Sequence, residues 1–212
     1  MTIVLSSSSS SSFGINNYGD LKEKTALWLN RTNLTDSLPD FVRLAETTIR
    51  RDVRTRVQEI YLSDTATDAT IPSPDLLLDV RRLVVAGRRK TYITPDDYAD
   101  LDAASSQADH FTIIGESIYV LGGTTGAAYT MLYWKAFEAF VEDTDSNWLL
   151  QNAPEVYLWA SCKEGAEFLK DFEAADRFQG KYNAAAAALN SSEKNMRYSG
   201  SSMVVRPAGS TP

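Results

Sequence analysis

The spacing of apolar residues changes twice along the chain. From Tyr18, the positions Leu21, Thr25, Trp28 and Leu29 fall on one helical face, with Asn17 placed to cap the helix and Asp20 as its reciprocal acid. After Ser37, a second helix is predicted with Pro39 in its first turn and Asp40 closing a capping box. Leu38, Phe41, Val42, Ala45, Ile49 and Val53 form its apolar stripe, and Arg43, Arg50 and Arg54 lie on the other face. Between about Val57 and Ala136 the pattern turns strand-like. "RRLVVAG" and "RKTYI" read as a hairpin around Gly87 and Arg88, "FTIIGESIYVLGG" as a second hairpin turning at Gly115 and Glu116, and "AAYTMLYWKA" as a further strand. Inside this region "TPDDYADL" starts a short helix, with Thr94 as cap and Pro95 at its first position.

Helical spacing then returns. Asn152, with Glu155 as box partner, is expected to cap a helix whose stripe is Leu158, Trp159, Cys162, Ala166 and Leu169. Asp171 is expected to cap the next, which carries Ala175, Phe178, Tyr182, Ala185 and Leu189. The junction at Lys170 and Asp171 is so short that the two should form an antiparallel hairpin. The predicted fold is α+β: a mainly helical four-helix core with an inserted antiparallel β-rich region and extended terminal tails. The expected organisation is a flexible Ser-rich arm over 1–16, helical core over 17–56, β-rich insertion over 57–136, helical hairpin over 137–190 and an extended tail over 191–212.

Composition narrows the functional classes. A 43% hydrophobic fraction can build a core, and a formal net charge of -7 argues against gripping nucleic acid along the whole surface. One cysteine, Cys162, excludes an intramolecular disulfide and a multi-cysteine zinc site. The N-terminus lacks the basic flank and long apolar run of a secretion signal, and no apolar stretch is long enough to span a bilayer, so no membrane partner is expected.

Candidate chemistry is sparse. His110 precedes a strand, and its neighbour Asp109 would point to the opposite face, so a structural histidine is expected. Cys162 sits on an apolar stripe and reads as a small hydrophobe. Asp96, Asp97, Asp100 and Asp102 resemble a metal cluster, but acids at a helix start are accounted for by the macrodipole and solvation. "LGGTTGAAY" lacks the lysine of a phosphate loop and precedes a strand, so it reads as a turn. No catalytic, metal or cofactor site is expected. The basic residues Arg43, Arg50 and Arg54 are candidates for facing an acidic protein partner. The apolar Met203, Val204 and Val205 with Arg206 can add a strand to a sheet edge. Trp28, Trp148, Leu149, Leu150 and Trp159 are the expected core anchors.

The stretches "YGDLKEKTALWLNRTNLTDSLPDFVRLAETTIRRDVRTR", "NWLLQNAPEVYLWASCKEGAEFLKD", "RFQGKYNAAAAALN" and "RYSGSSMVVRP", in this order, resemble the head–tail adaptor proteins of short-tailed bacteriophages and their prophage relatives. The resemblance implies a structural virion protein without a cofactor. It would assemble as a ring, usually of twelve copies, between the capsid portal and the tail nozzle or hub, and DNA would pass through without sequence-specific binding. It also implies that the C-terminal stretch reaches the portal, here through Arg197, Tyr198, Met203, Val204, Val205 and Arg206. Within such a ring, the Trp148, Leu149 and Leu150 hook would either anchor the core or touch the next subunit. Two other readings stay open: a virion-associated hydrolase or nuclease using the acids near Asp96, and a small regulatory protein-binding module.

Overall fold

A computed structural model describes residues 14–101 and 109–198, without the side chains of Arg197 and Tyr198. Its elements are, in chain order, α1 (Tyr18–Trp28), α2 (Leu38–Asp52), a 3-10 turn (Arg56–Gln58), β1 (Glu59–Thr65), β2 (Thr70–Pro72), β3 (Leu77–Val85), β4 (Arg88–Tyr92), α3 (Pro95–Asp100), β5 (His110–Ile114), β6 (Ser117–Val120), β7 (Ala128–Lys135), α4 (Trp148–Asn152), α5 (Pro154–Phe168) and α6 (Phe172–Tyr198).

The expected mainly helical four-helix core is not what forms. Half of the architecture is a curled, seven-stranded mixed sheet in the order β1-β7-β3-β4-β5-β6-β2. Nor is the insertion purely antiparallel, because β4 and β5 run parallel, with Thr91 opposite His110 and Tyr92 opposite Phe111. The sheet owns a core: Ile71, Leu83, Phe111, Ile118 and Met131, from five different strands, meet on its inner face. A sheet with a buried core of its own is a structural body in its own right, where an excursion from a bundle would lean on the helices.

The helices have a second, separate core built around α5. Helices α1, α2, α4 and α6 each pack on α5, but α6 has no comparable seam with α2 or α1, so the four do not close a ring of seams. Leu21, Val42, Leu149, Leu150, Val156 and Tyr157 fill this core. None of α1, α2, α4, α5 and α6 packs broadly on a strand. The two bodies are joined by two connections: Val53 to Gln58, and residues 136–147.

Local chemistry explains most element starts. Asn17 Oδ1 accepts the Asp20 N–H at 2.8 Å, while the Asp20 carboxylate reaches the Asn16 N–H instead of closing a box with Asn17. Ser37 precedes α2 without a side-chain cap bond, and Pro39 opens the helix. Thr94 and Asp171 cap α3 and α6. Asn152 does not cap α5; Asn147 caps α4 through the Leu150 N–H at 2.9 Å, and α5 begins at Pro154 after a break at Ala153. The first hairpin turns at Ala86 and Gly87, both with positive φ, one residue earlier than predicted. A turn with two successive positive-φ residues matches the twist of the flanking strands. Helix α6 continues to Tyr198, into the stretch expected to be extended tail.

Candidate functional site

Among the described residues, the candidates for chemistry do not converge on one site. Asp96, Asp97 and Asp100 are exposed on α3, where Asp97 receives the Thr94 hydroxyl at 2.7 Å; Asp102 lies outside the described residues. Among the described residues no group of three or more His, Cys, Asp or Glu is arranged to hold a metal. Cys162 is fully buried in the helical core, and burial pushes its thiol up to about 12, which leaves it protonated and a poor nucleophile at neutral pH. Gly122, Gly123 and Gly126 all have positive φ in the β6–β7 connection, where "LGGTTGAAY" forms a turn.

The basic side chains are exposed or held by neighbours in the same chain. On α2, Arg43 and Arg50 are exposed. Arg54 is half-buried, and its Nη1 donates to the carbonyls of Arg50 and Val53, both at 2.7 Å, so it caps the end of α2. On the sheet, Arg81 pairs with Glu59 at 2.5 Å and lies over the Trp134 ring. Arg88 and Lys90 share Asp109. The expected anchors separate by depth. Leu149 and Leu150 are fully buried and Trp148 and Trp159 partly so. Trp28 is half-exposed, packed edge-on against Trp159 with the Lys181 ammonium 4.8 Å from its ring centre.

The two connections between the bodies are each held by side chains from the helices. In the second, the half-buried Glu46 carboxylate accepts the Phe140 N–H at 3.0 Å, and the Phe140 ring sits between Tyr18 and Tyr157. Carbonyls of Asp143 and Asp145 accept the N–H groups of Gly19 and Tyr18 at the start of α1. Burial raises the Glu46 carboxyl above the usual carboxylate range, outweighing the Phe140 bond and the nearby Arg50 and Arg43 charges. Beside this connection lies a cleft of about 480 Å³, lined among others by Val57, Ile60, Phe137, Phe140 and Trp148.

The first connection is gripped by α6. Tyr182 Oη donates to the Asp52 carboxylate at 2.9 Å, and burial, helped by that acid, raises the phenol's pKa. Asn190 accepts the Arg54 N–H at 3.1 Å and donates to the Asp52 carbonyl at 2.9 Å. Glu193, 3% exposed, accepts the Arg56 N–H at 2.7 Å, and the Arg56 guanidinium also reaches Met196. Sequence reasoning missed this latch entirely. Glu193 stands in the polar stretch expected to be tail and Asn190 is the last residue of the expected hairpin, and their partners are 136 to 138 positions away. Of the expected portal-facing residues, Arg197 and Tyr198 lie at the end of α6; Met203, Val204, Val205 and Arg206 lie outside the described residues.

A helical body and a sheet body, each with its own core and joined by clamped connections, make this an α+β protein. The chain matches the SU10 adaptor protein family over residues 16–207 and belongs to it. It is a structural adaptor of bacteriophages. No curated protein matches it. No helix among the described residues is long and apolar enough to cross a membrane.

Proposed function

We propose that this adaptor acts as a ring of copies, twelve in number, that joins the capsid portal to the tail nozzle or hub and extends the DNA channel. The observation that carries the reading is the extent of the family match. It covers both bodies and runs on past the end of α6 to residue 207, through Met203, Val204, Val205 and Arg206. A match that includes this stretch supports a role for it in the adaptor's contacts, and the portal is the partner assigned to it. The net charge of -7 suits a wall past which DNA slides without sticking.

Mixing with purified portal tests the proposal. The full chain should shift the portal to a larger species in sizing chromatography, with an added ring visible by electron microscopy. A chain ending at Tyr198 should keep its far-UV circular dichroism and lose attachment. This end point matters: stopping at residue 189 would also remove Asn190 and Glu193 and so break the grip on the first connection. A chain ending at Tyr198 that still joins the portal overturns the assignment of the tail.

A further inference from the structure

The curled sheet has two outer faces, and they carry opposite charge. On the first, Tyr61 of β1, Leu132 of β7 and Arg82 of β3 form one cross-strand row, because Tyr61 and Arg82 are both paired with Leu132. Leu132 stands between Met131 and Tyr133, which point into the sheet core, so the row points outward. In the next outward row, Val84 is paired with Arg89 of β4. Tyr61 is 69% exposed, and both Arg82 and Arg89 are exposed. Glu59 neutralises Arg81, but neither Arg82 nor Arg89 has an ion-pair partner among the described residues. These two are diagonal neighbours on adjacent strands, where like charges oppose each other. Tyrosine and arginine around an apolar centre are the residues that dominate protein interfaces.

The second outer face belongs to β5 and β6. Tyr119 stands between the core residues Ile118 and Val120 and so points outward, and Tyr98 of α3 packs on it with ring centres 6.4 Å apart. Helix α3 thus lies on this face, with Asp96, Asp97 and Asp100 exposed, and Ile114 and Tyr119 stay exposed on the strands. Leu83 and Met131 from behind the first face meet Phe111 and Ile118 from behind the second in one core. The two outer faces therefore point away from each other, and one chain cannot bring them together.

We infer that the basic face of one copy receives the α3 face of a second copy. The α3 carboxylates meet Arg82 and Arg89, and the apolar side chains at Ile114 and Tyr119 meet Tyr61 and Leu132. Charge complementarity selects the occupant. The two unneutralised arginines need an anionic surface, and a second copy offers three exposed acids beside apolar residues. Each face repels its own like, so a two-fold contact of one face with itself is disfavoured. Complementary faces on opposite sides of a body make a head-to-tail contact, which generates a ring when the rotation closes. The pairing rests on the proposed ring and names the surfaces through which it forms.

Sedimentation velocity of the full chain without portal tests the pairing. At low salt the wild type should self-associate as its concentration rises, and about 1 M salt, where the Debye length is ~3 Å, should disperse it. Arg82→Glu with Arg89→Glu, and separately Asp96→Lys with Asp100→Lys, should each weaken self-association at least about tenfold. Mixed in equal amounts, the two variants should associate with each other, because every contact in the mixture again joins opposite charges. A wild type that stays monomeric at low salt, variants that associate as the wild type does, or a mixture no better than its components overturns the pairing. Duplex DNA held by the wild type and released by the arginine variant also overturns it, because the arginines would then serve phosphates. Failure here beside intact portal attachment removes the pairing and leaves the proposed function standing. Portal attachment that fails while the mixed variants still pair removes the proposed function alone.

Discussion

Glu46 shows how a single side chain can hold a connection and pay for it in charge. Its carboxylate ties Phe140, and so the second connection, to α2. Burial raises its pKa in the folded state. A raised carboxyl pKa means that the fold favours the protonated acid. Its contribution is therefore fully favourable below the ordinary carboxylate value and is lost as pH rises through the folded value. Glu46→Gln keeps an oxygen to accept the Phe140 N–H and removes the buried charge. At pH 7 this variant should have a higher urea midpoint than the wild type, and the gap should close as pH falls toward 4. Glu46→Ala removes the acceptor and should be less stable by about 1–3 kcal/mol, the usual cost of stranding a buried donor. A wild type more stable than Glu46→Gln at neutral pH would show that the paired charge outweighs its burial.

Among the elements, two glycines in neighbouring helices make opposite predictions. A Cβ on Gly165 of α5 would stand 2.4 Å from Leu29 Cδ1 and 3.2 Å from the Phe41 ring, so the glycine is what lets the end of α1 and α2 approach α5. Gly165→Ala should cost about 1–3 kcal/mol through overpacking, more than the gain of roughly 1 kcal/mol in helix propensity. Gly180 of α6 has nothing within 4 Å of the same position, and Gly180→Ala should stabilise by up to about 1 kcal/mol. Thermal melts of the two variants shifting in the same direction would contradict this account. What the sequence disclosed about the elements follows the same local logic. Asn17, Thr94 and Asp171 mark helix starts because a cap and its N–H are three residues apart, and Gly115 marks the β5–β6 turn through its own backbone. The pairing of β1 and β3 with β7, the parallel β4–β5 step and the hold of Asn190 and Glu193 on the first connection are long-range. No local spacing encodes them. Asn152 reads as a cap because the apolar stripe of α5 begins just after it, but the short helix α4 that carries Leu149 and Leu150 has its own start at Asn147.

For the molecule as a whole, the decisive fact is the pair of separate cores. The helical core gathers on α5 and the sheet core on the inner face of the curled sheet, and the bodies meet through two connections clamped by Glu46 on one side and by Tyr182, Asn190 and Glu193 on the other. Interactions confined to connections transmit less free energy than a shared core, so each body should open with its own stability. Leu83→Ala, at a fully buried position of the sheet core, should cost about 2–5 kcal/mol within that body. Native-state hydrogen exchange should then rise in β3, β4 and β7 while α5 keeps its protection. Val156→Ala, fully buried in the helical core, should produce the converse pattern with a smaller loss. If either substitution lowers protection equally in both bodies, the clamps couple them into one cooperative unit. Glu193→Ala would then be the substitution that separates them, because it removes the buried acceptor of the Arg56 N–H at the entrance to the sheet. For an adaptor the distinction is mechanical. Bodies with independent stability can change their mutual angle at the connections and keep both cores intact, whereas a single cooperative unit must meet its partners as one rigid block.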